Sequence, residues 1–387
     1  MGEEEERQEA VRRYEVGESP KSIWVSLGRS ERWFFKWLDR FSKGDKEWYR
    51  SESRCPMSFP LRTPREIEKI VVAIRLELYN EGLFCGAQAI SWEMQEQGIA
   101  PIPSLRTINR ILKRNGLTHR RTGRYVPRGK QYPKLQAAVP GAVHQMDRVG
   151  PCYLKGPVRF YSLNSVDIAT GRCGIQPLET KGGQPLVNAI WTIWGRLGLP
   201  RCQQVDNDMA FYGSPAHPRG MGQLIRLCLN HGIEVCFIPL HEPWRNGVVE
   251  KFNDHWEQKF YHRIPMFSMK DLQQGSLIFE HKHNTRMKYT KLAGKTPLDT
   301  LAASGHTLQF PPEPQAPQLP LKKPVQGRYH LIRFIRSDGM LNIFGEHFPV
   351  PSQAQYEYVL ATIDVTHQRL QIRLDGTLID EQPYQMR

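Results

Sequence analysis

The sequence predicts a multidomain α/β protein: helical units first, then a mixed strand-and-helix core, then a small β-rich piece. Three observations predict it. Capped, helix-period apolar runs fill residues 1–117, strand-length and helix-length apolar runs alternate over 137–302, and period-two alternation returns after a proline-rich stretch at 311–324. At 387 residues the chain has room for several domains.

Residues 1–50 read as three short helices. The first runs from about Glu3 to Glu15. Ser19-Pro20 then supplies a cap and a first-turn proline for Lys21–Leu27, Gly28 ends that helix, and Ser30 caps the next. Trp33, Phe34, Trp37, Leu38 and Phe41 recur at helical spacing and are expected in the core. Helix, short glycine turn, helix is the helix-turn-helix arrangement. Its opposite face carries Arg29, Arg32, Lys36 and Arg40, with Arg32 and Lys36 as candidate DNA contacts.

A second helix-turn-helix unit, winged-helix-like, is expected over 60–117. Thr63-Pro64 opens a helix with Ile67, Ile70, Val71, Ile74 and Leu78 on one face, and a second helix follows from Gly86 to Gln97. Ser104 caps a third, with Ile108, Ile111 and Leu112 inward and Arg106, Asn109, Arg110, Lys113 and Arg114 outward. This is the candidate recognition helix, because Arg and Asn can read base edges while flanking cations grip phosphate. A basic face that touches only DNA backbone is the other reading.

Residues 118–136 form a basic linker. From Arg106 to Lys134 the cations, including Arg120, Arg121, Arg124, Arg128 and Lys130, meet no Asp or Glu. Such a run repels itself when free, and binding to phosphate with counterion release relieves this. The formal net charge of +14 and pI of about 9.5 likewise favour an anionic partner. Seven scattered cysteines without a C-x-x-C pair argue against a disulfide framework or a zinc finger and for a reducing interior. The N-terminus is acidic and lacks an apolar signal core, and the most apolar long stretch, around Leu186–Leu199, is interrupted by Asn188 and Arg196. A soluble cytoplasmic protein is the expectation.

The core, 137–302, reads as strands near Val143–Asp147, Arg159–Asp167 and Arg172–Pro177, a helix Leu186–Leu197 and a strand Cys202–Asp206. A loop over 212–220 has turn chemistry throughout. Then come a helix near Gly222–Asn230, the strand Glu234–Ile238, a long helix Arg245–His262 and a closing helix Lys270–Met287. The proline-rich segment 311–324 is expected to be a semi-rigid spacer. Over 325–387, Tyr329–Ile335, Leu341–Phe344, Tyr356–Asp364 and Arg369–Leu374, with Asp-Gly turns at 338–339 and 375–376, suggest a small β-barrel.

Three acids carry the chemistry. Asp147 in VHQMDRVG and Asp206 in QQVDNDMAF each end a short apolar run, and Glu250 in EPWRNGVVEKFN sits in the first turns of a helix opened by Pro243. Carboxylates gathered from strand ends and a helix make a site for hard divalent cations. Asp167 rivals Asp147, since it also ends a strand, though it precedes the turn Ala169-Thr170-Gly171.

At these residues the chain resembles the DDE transposases of bacterial insertion sequences, which have a retroviral-integrase-like catalytic core. The resemblance is carried by Asp147, Val205-Asp206-Asn207, Phe237-Ile238-Pro239 and the run from Pro243 to Glu250, with Asn284-Thr285-Arg286 and Gly294-Lys295-Thr296-Pro297 resembling the tail of that core. It spans roughly 135–300. Two departures stand out: Asp208 occupies the place of a usual glycine, where a left-handed turn is expected, and the spacing from Asp206 to Glu250 is longer than usual.

The resemblance implies an RNase-H-like core, with Asp147, Asp206 and Glu250 as catalytic residues holding two Mg²⁺ ions, or Mn²⁺ in their place. It implies hydrolysis at a transposon end to free a 3′-OH, then transesterification of that 3′-OH into target DNA by a homo-oligomer bound to double-stranded DNA. Asn246 is expected to brace substrate phosphate or the helix start, and Lys251 and Asn253 to touch DNA. His241 reads as a loop residue and His281-Lys282-His283 as surface. Two other readings stay open: a catalytically silent transposase-derived regulator, and a nuclease of the same fold that cuts without joining.

Overall fold

The computed structural model describes residues 2–44, 46–52, 63–118, 132–133, 135–213, 217 and 219–387. Contacts divide the chain into two compact units, Met1–Thr63 and Pro64–Arg387. Most of the linker expected over 118–136, including Arg120, Arg121, Arg124, Arg128, Lys130 and Lys134, lies outside the described residues.

In the first unit, α1 (Glu3–Glu15), α2 (Pro20–Ser26) and α3 (Glu31–Ser42) follow the expected caps. The Ser22 amide donates to the Ser19 hydroxyl and the Trp33 amide to Ser30. Ala10, Val11, Ile23, Phe34 and Trp37 are buried between the helices. Arg7 is buried as well, its guanidinium 4.0 Å from the Trp37 ring centre, a cation–π contact that offsets burial of the charge.

The second unit opens with α4 (Arg65–Asn80), α5 (Ala87–Glu96) and α6 (Leu105–Arg114). Pro64, not Thr63, is the first cap, and Ser104 caps α6 as expected. Ile67, Val71, Ile74, Ile90, Met94, Ile108 and Ile111 share one apolar cluster with Phe252, Trp256 and Phe279 farther along the chain. This helical trio therefore packs on the core instead of standing apart. Lys282 donates to the Glu81 carbonyl at 2.7 Å and Arg263 to the Tyr79 carbonyl at 2.8 Å, closing the C-terminal end of α4.

Strands β1 (Val143–Tyr153), β2 (Arg159–Asp167) and β3 (Cys173–Leu178) form an antiparallel meander. The apolar helix α7 (Gln184–Leu197) leads to β4 (Cys202–Val205), parallel to β1. Short α8 (Met209–Tyr212) and α9 (Gln223–Asn230) lead to β5 (Glu234–Phe237), parallel to β4. A Cβ on Gly222, at the cap of α9, would lie 2.5 Å from the Phe211 carbonyl oxygen, so only glycine lets α8 and α9 close together. The predicted long helix is three structures: a 3₁₀ turn Pro243–Asn246, α10 (Gly247–Trp256) and a π-turn Glu257–Tyr261. Helices α11 (Met269–Arg286) and α12 (Pro297–Ser304) complete the core. None of the described helices is long and apolar enough to cross a membrane.

The C-terminal strands depart from expectation. β6 (Arg328–Phe334), β9 (Tyr358–Asp364), β10 (Arg369–Leu374) and β11 (Thr377–Pro383) pair in antiparallel order, and β6 also pairs in parallel with β5. The sheet therefore runs β11-β10-β9-β6-β5-β4-β1-β2-β3, while β7 (Met340–Ile343) and β8 (Glu346–Pro349) form a separate ribbon. No ladder among the described residues closes β11 back onto β6. In place of the expected barrel the strands extend the core sheet, because Leu331, Ile363 and Leu370 share a buried cluster with Val235, Phe237 and α9. The proline-rich segment is no free spacer either. The Trp191 indole N–H donates to the Glu313 carbonyl, Gln184 exchanges hydrogen bonds with Pro317 and Leu319, and Arg226 donates to the Leu321 carbonyl.

Candidate active site

Asp147 lies on β1 and Asp206 one residue past β4. The β1–β4 ladder pairs Val143 with Cys202 and ends at Gln145 and Gln204; continued two residues, the same register sets Asp147 abreast of Asp206. Paired residues of parallel strands face the same side, so the two carboxylates are neighbours.

Helix α10 brings in Glu250. Asn246, at its cap position, makes no capping bond, so the orphan amides of the first turn need other partners. Gln145 on β1 supplies one: its buried side-chain oxygen accepts from the Val248 and Val249 amides at 2.9 and 3.1 Å. Asn246 is 2% exposed and donates to the Met146 carbonyl, while Gln204 donates to the Arg245 carbonyl and to Asn246. Of the two expected roles for Asn246, these contacts are those of a brace for the helix start. Two glutamines and an asparagine thus latch α10 to the strands that carry the aspartates.

Asp147 is gripped from a second side. Its Oδ2 accepts from Asn253 Nδ2 at 2.6 Å, Asn253 Oδ1 accepts from Asn164 at 2.8 Å, and Asn164 accepts from Ser162 at 2.7 Å. Ser162, Asn164 and Asn253 are buried, and this chain satisfies their polar groups in place of water. Asn253 was expected to touch DNA; its side chain points inward, one turn below Glu250, and the expectation is corrected. Lys251 is exposed and paired with Asp254 at 3.2 Å. It lines a cleft of about 550 Å³ with Trp244, Arg245, Gly247, Glu250, Asn253 and Asp254. A smaller apolar cavity, lined by Val166, Phe252, His255 and His283 among others, has no carboxylate in its wall.

The turn after β4 differs from the left-handed one expected. Asp208 has φ −70° and no strain, and it caps α8 by accepting from the Ala210 amide. Its other oxygen takes the Arg148 guanidinium, which lies over the Tyr161 ring. The Asp208 amide donates to Asp206 at 3.2 Å.

All three acids are half-buried and all three are harder to ionise than usual. Burial, then the charges of Asp147 and Asp208, push Asp206 up to about 6. Burial raises Asp147 against hydrogen bonds from the Arg148 amide and Asn253. Burial and then repulsion from Asp147 and Asp254 raise Glu250. These are carboxylates whose negative charge is only partly compensated, and hard oxygen donors of this kind suit a divalent cation. Among the described residues no three His, Cys, Asp or Glu side chains converge closely enough to enclose an ion. Donor chemistry fits; the enclosure is open. Asp167, the rival, is satisfied by Thr170 at 2.6 Å and the Ala169 amide in its own turn and by the Gly141 amide just before β1.

Arg106, Asn109, Arg110, Lys113 and Arg114 are exposed on α6, as expected, although Arg114 pairs with Glu68 at 2.8 Å. On α3, Arg32 and Lys36 are exposed, whereas Arg29 pairs with Glu6 and Arg40 with Glu52. His241 is an exposed loop residue with φ 61°. His283 is buried, not surface, and contacts the Gly171 carbonyl at 3.1 Å. Sequence reasoning missed Gln145, Asn164 and Gln204; their strands, VHQMDRVGPCY, RFYSLNSVD and CQQV, each carry several polar residues, so no single one stood out.

Residues 1–47 match a family described as a homeodomain-like domain, which makes the first unit a helix-turn-helix of that kind. No curated protein matches the chain. Among solved structures, the HTLV-2 integrase catalytic core domain in complex with magnesium is 17% identical at a TM-score of 0.34, over 43% of this chain and 99% of its own. A chain of the simian T-cell lymphotropic virus intasome in complex with the PP2A regulatory subunit B56 gamma is 17% identical at 0.38, over 78% and 94%. The catalytic core domain of BIV integrase is 15% identical at 0.33, over 43% and 97%. Likenesses this distant say nothing about which residues act.

Proposed function

We propose that this chain is a DDE-type transposase. It binds double-stranded DNA at the ends of a mobile element, hydrolyses the end phosphodiester to free a 3′-OH and joins that 3′-OH to target DNA. The observation that carries the reading is the register that, continued, sets Asp147 abreast of Asp206 on parallel strands, with Glu250 on a helix latched to both strands. Asp147 and Asp206 would hold divalent ions with Glu250 completing the set. Bound Mg²⁺ or Mn²⁺ would supply Lewis-acid stabilisation of a reacting phosphate and a more acidic water.

The chain's own residues do the rest. Asn253 orients Asp147, the Gln145 and Asn246 contacts hold Glu250 at its distance from the strands, and Arg148 neutralises Asp208 so that it does not compete for the cation. The homeodomain-like unit and the exposed cations of α6 supply DNA binding, and two ends joined together call for a homo-oligomer.

The test is end cleavage and strand transfer on the element's terminal DNA with Mg²⁺ or Mn²⁺. Glu250→Gln should abolish joining and leave end binding intact; unimpaired joining by that variant sinks the assignment. The open enclosure favours a second reading, a silent DNA-binding regulator of the same descent. Specific end binding by the wild type with neither cutting nor joining would select it.

A further inference from the structure

Two side chains from the C-terminal strands reach into the turns that carry the candidate carboxylates. Arg333 on β6 is 4% exposed. It donates to Asn207 Oδ1 at 2.8 Å, to the Ile238 carbonyl at 2.9 Å, to its neighbour Ile332 at 3.0 Å and to the Asn342 carbonyl at 3.2 Å. Asn207, next to Asp206, donates to the same Ile238 carbonyl at 2.7 Å. The guanidinium thus ties together the turn after β4 and the end of β5.

On β9, the Tyr358 hydroxyl donates to Glu242 at 2.7 Å and accepts from Arg245 at 3.2 Å, and Arg245 donates to Glu242 at 2.9 Å. The Arg245 guanidinium lies 5.1 Å from the Tyr358 ring centre and 4.0 Å from that of Tyr132. That cluster fixes the 3₁₀ turn from which α10, and Glu250, start. The two anchors are close neighbours in the sheet, since Arg333 pairs with Val359 and Phe334 with Tyr358.

Among the described residues no carboxylate pairs with Arg333. A buried cation met only by neutral oxygens costs stability, and an apolar side chain of similar volume would fill the space more cheaply. What the planar fork adds is geometry: several donors at fixed angles, a rigid bracket between segments remote in sequence. We propose that Arg333 and Tyr358 are positioning residues that set the separation of Asp206 and Glu250, making the C-terminal strands an integral part of the catalytic centre. This rests on the function proposed above for the three acids.

The experiment uses the full chain with Arg333→Met and Tyr358→Phe, and Leu370→Ala as a control that opens a cavity in the same sheet away from both turns. Two readouts are taken: Mn²⁺ affinity by electron paramagnetic resonance, and amide exchange across 206–209 and 243–250. Arg333→Met should weaken Mn²⁺ binding about tenfold or more, as loss of a ligand-orienting partner does, and speed exchange at 206–209. Tyr358→Phe should do the same at 243–250 with a smaller loss of Mn²⁺ affinity, and it decides the matter if Arg333→Met does not fold. Leu370→Ala should lower the melting temperature and leave both segments unchanged.

Unaltered exchange in the two turns, or equal loosening by Leu370→Ala, overturns the proposal. So does unchanged Mn²⁺ affinity in Arg333→Met and Tyr358→Phe when the wild type binds the ion. A wild type that binds no Mn²⁺ counts against the proposed function instead, and the exchange measurement still decides whether the strands hold the turns.

Discussion

Of the three candidate acids, Asp206 is the one whose ionisation costs the fold most. Its folded value of about 6 lies above the ordinary 3.8, so the folded state holds the extra proton between those values and stability falls as pH rises through that window. Asp206→Asn removes the cost. It should stabilise the fold above about pH 6 by roughly 3 kcal/mol, read as a higher melting temperature, and the gain should vanish below about pH 4. Equal effects at both pH values would show that neither burial nor the neighbouring charges oppose its ionisation. For Asp147 the Asn253 hydrogen bond works in the opposite direction, easing ionisation. Asn253→Ala should therefore move the acid limb of the pH–rate profile for strand transfer upward; an unmoved limb would mean the amide orients nothing. The three acids stand out in the sequence because each sits in a distinctive local pattern. Asn253 was misread because its spacing on the helix shows one face, while its partner Asn164 comes from a strand 89 residues earlier.

At the scale of elements, the sequence was readable where a local signal exists. Ser19, Ser30 and Ser104 mark helix starts, and the apolar run of α7 is strong. It was silent where an element depends on its neighbours. β11, TLIDEQP, is a polar edge strand ending in proline, and β8 is only four residues long. The latch on α10 is another such case: the helix has no cap of its own, and the substitute comes from Gln145 on a distant strand. Gln145→Ala should leave one buried and one partly buried amide unpaired and cost roughly 1–3 kcal/mol, whereas Gln145→Glu keeps the acceptor and should cost less in thermal unfolding. If the two substitutions destabilise alike, the latch is packing and not hydrogen bonding.

Over the whole molecule, the parallel pairing of β5 with β6 joins segments that a proline-rich stretch separates, a contact no local pattern announces. Charge is different, because it is written in composition. The net charge of +14 is uneven: the chain begins with four glutamates after Gly2, and the cations concentrate from Arg106 to Lys134. If that run is a phosphate clamp, affinity for DNA falls with salt, and the slope of log affinity against log salt counts the phosphates neutralised at about 0.9 each for duplex DNA. Replacing Arg120, Arg121 and Arg124 with alanine should flatten the slope by roughly 2–3 and weaken binding to all sequences alike. Asn109→Ala on α6 should act in the other way, leaving the slope alone and narrowing the preference for element ends over random DNA. The two variants separate grip from reading. A slope unchanged by the triple substitution would move the clamp to α6 and the homeodomain-like unit, where Arg32, Lys36, Arg106, Arg110 and Lys113 are among the exposed cations.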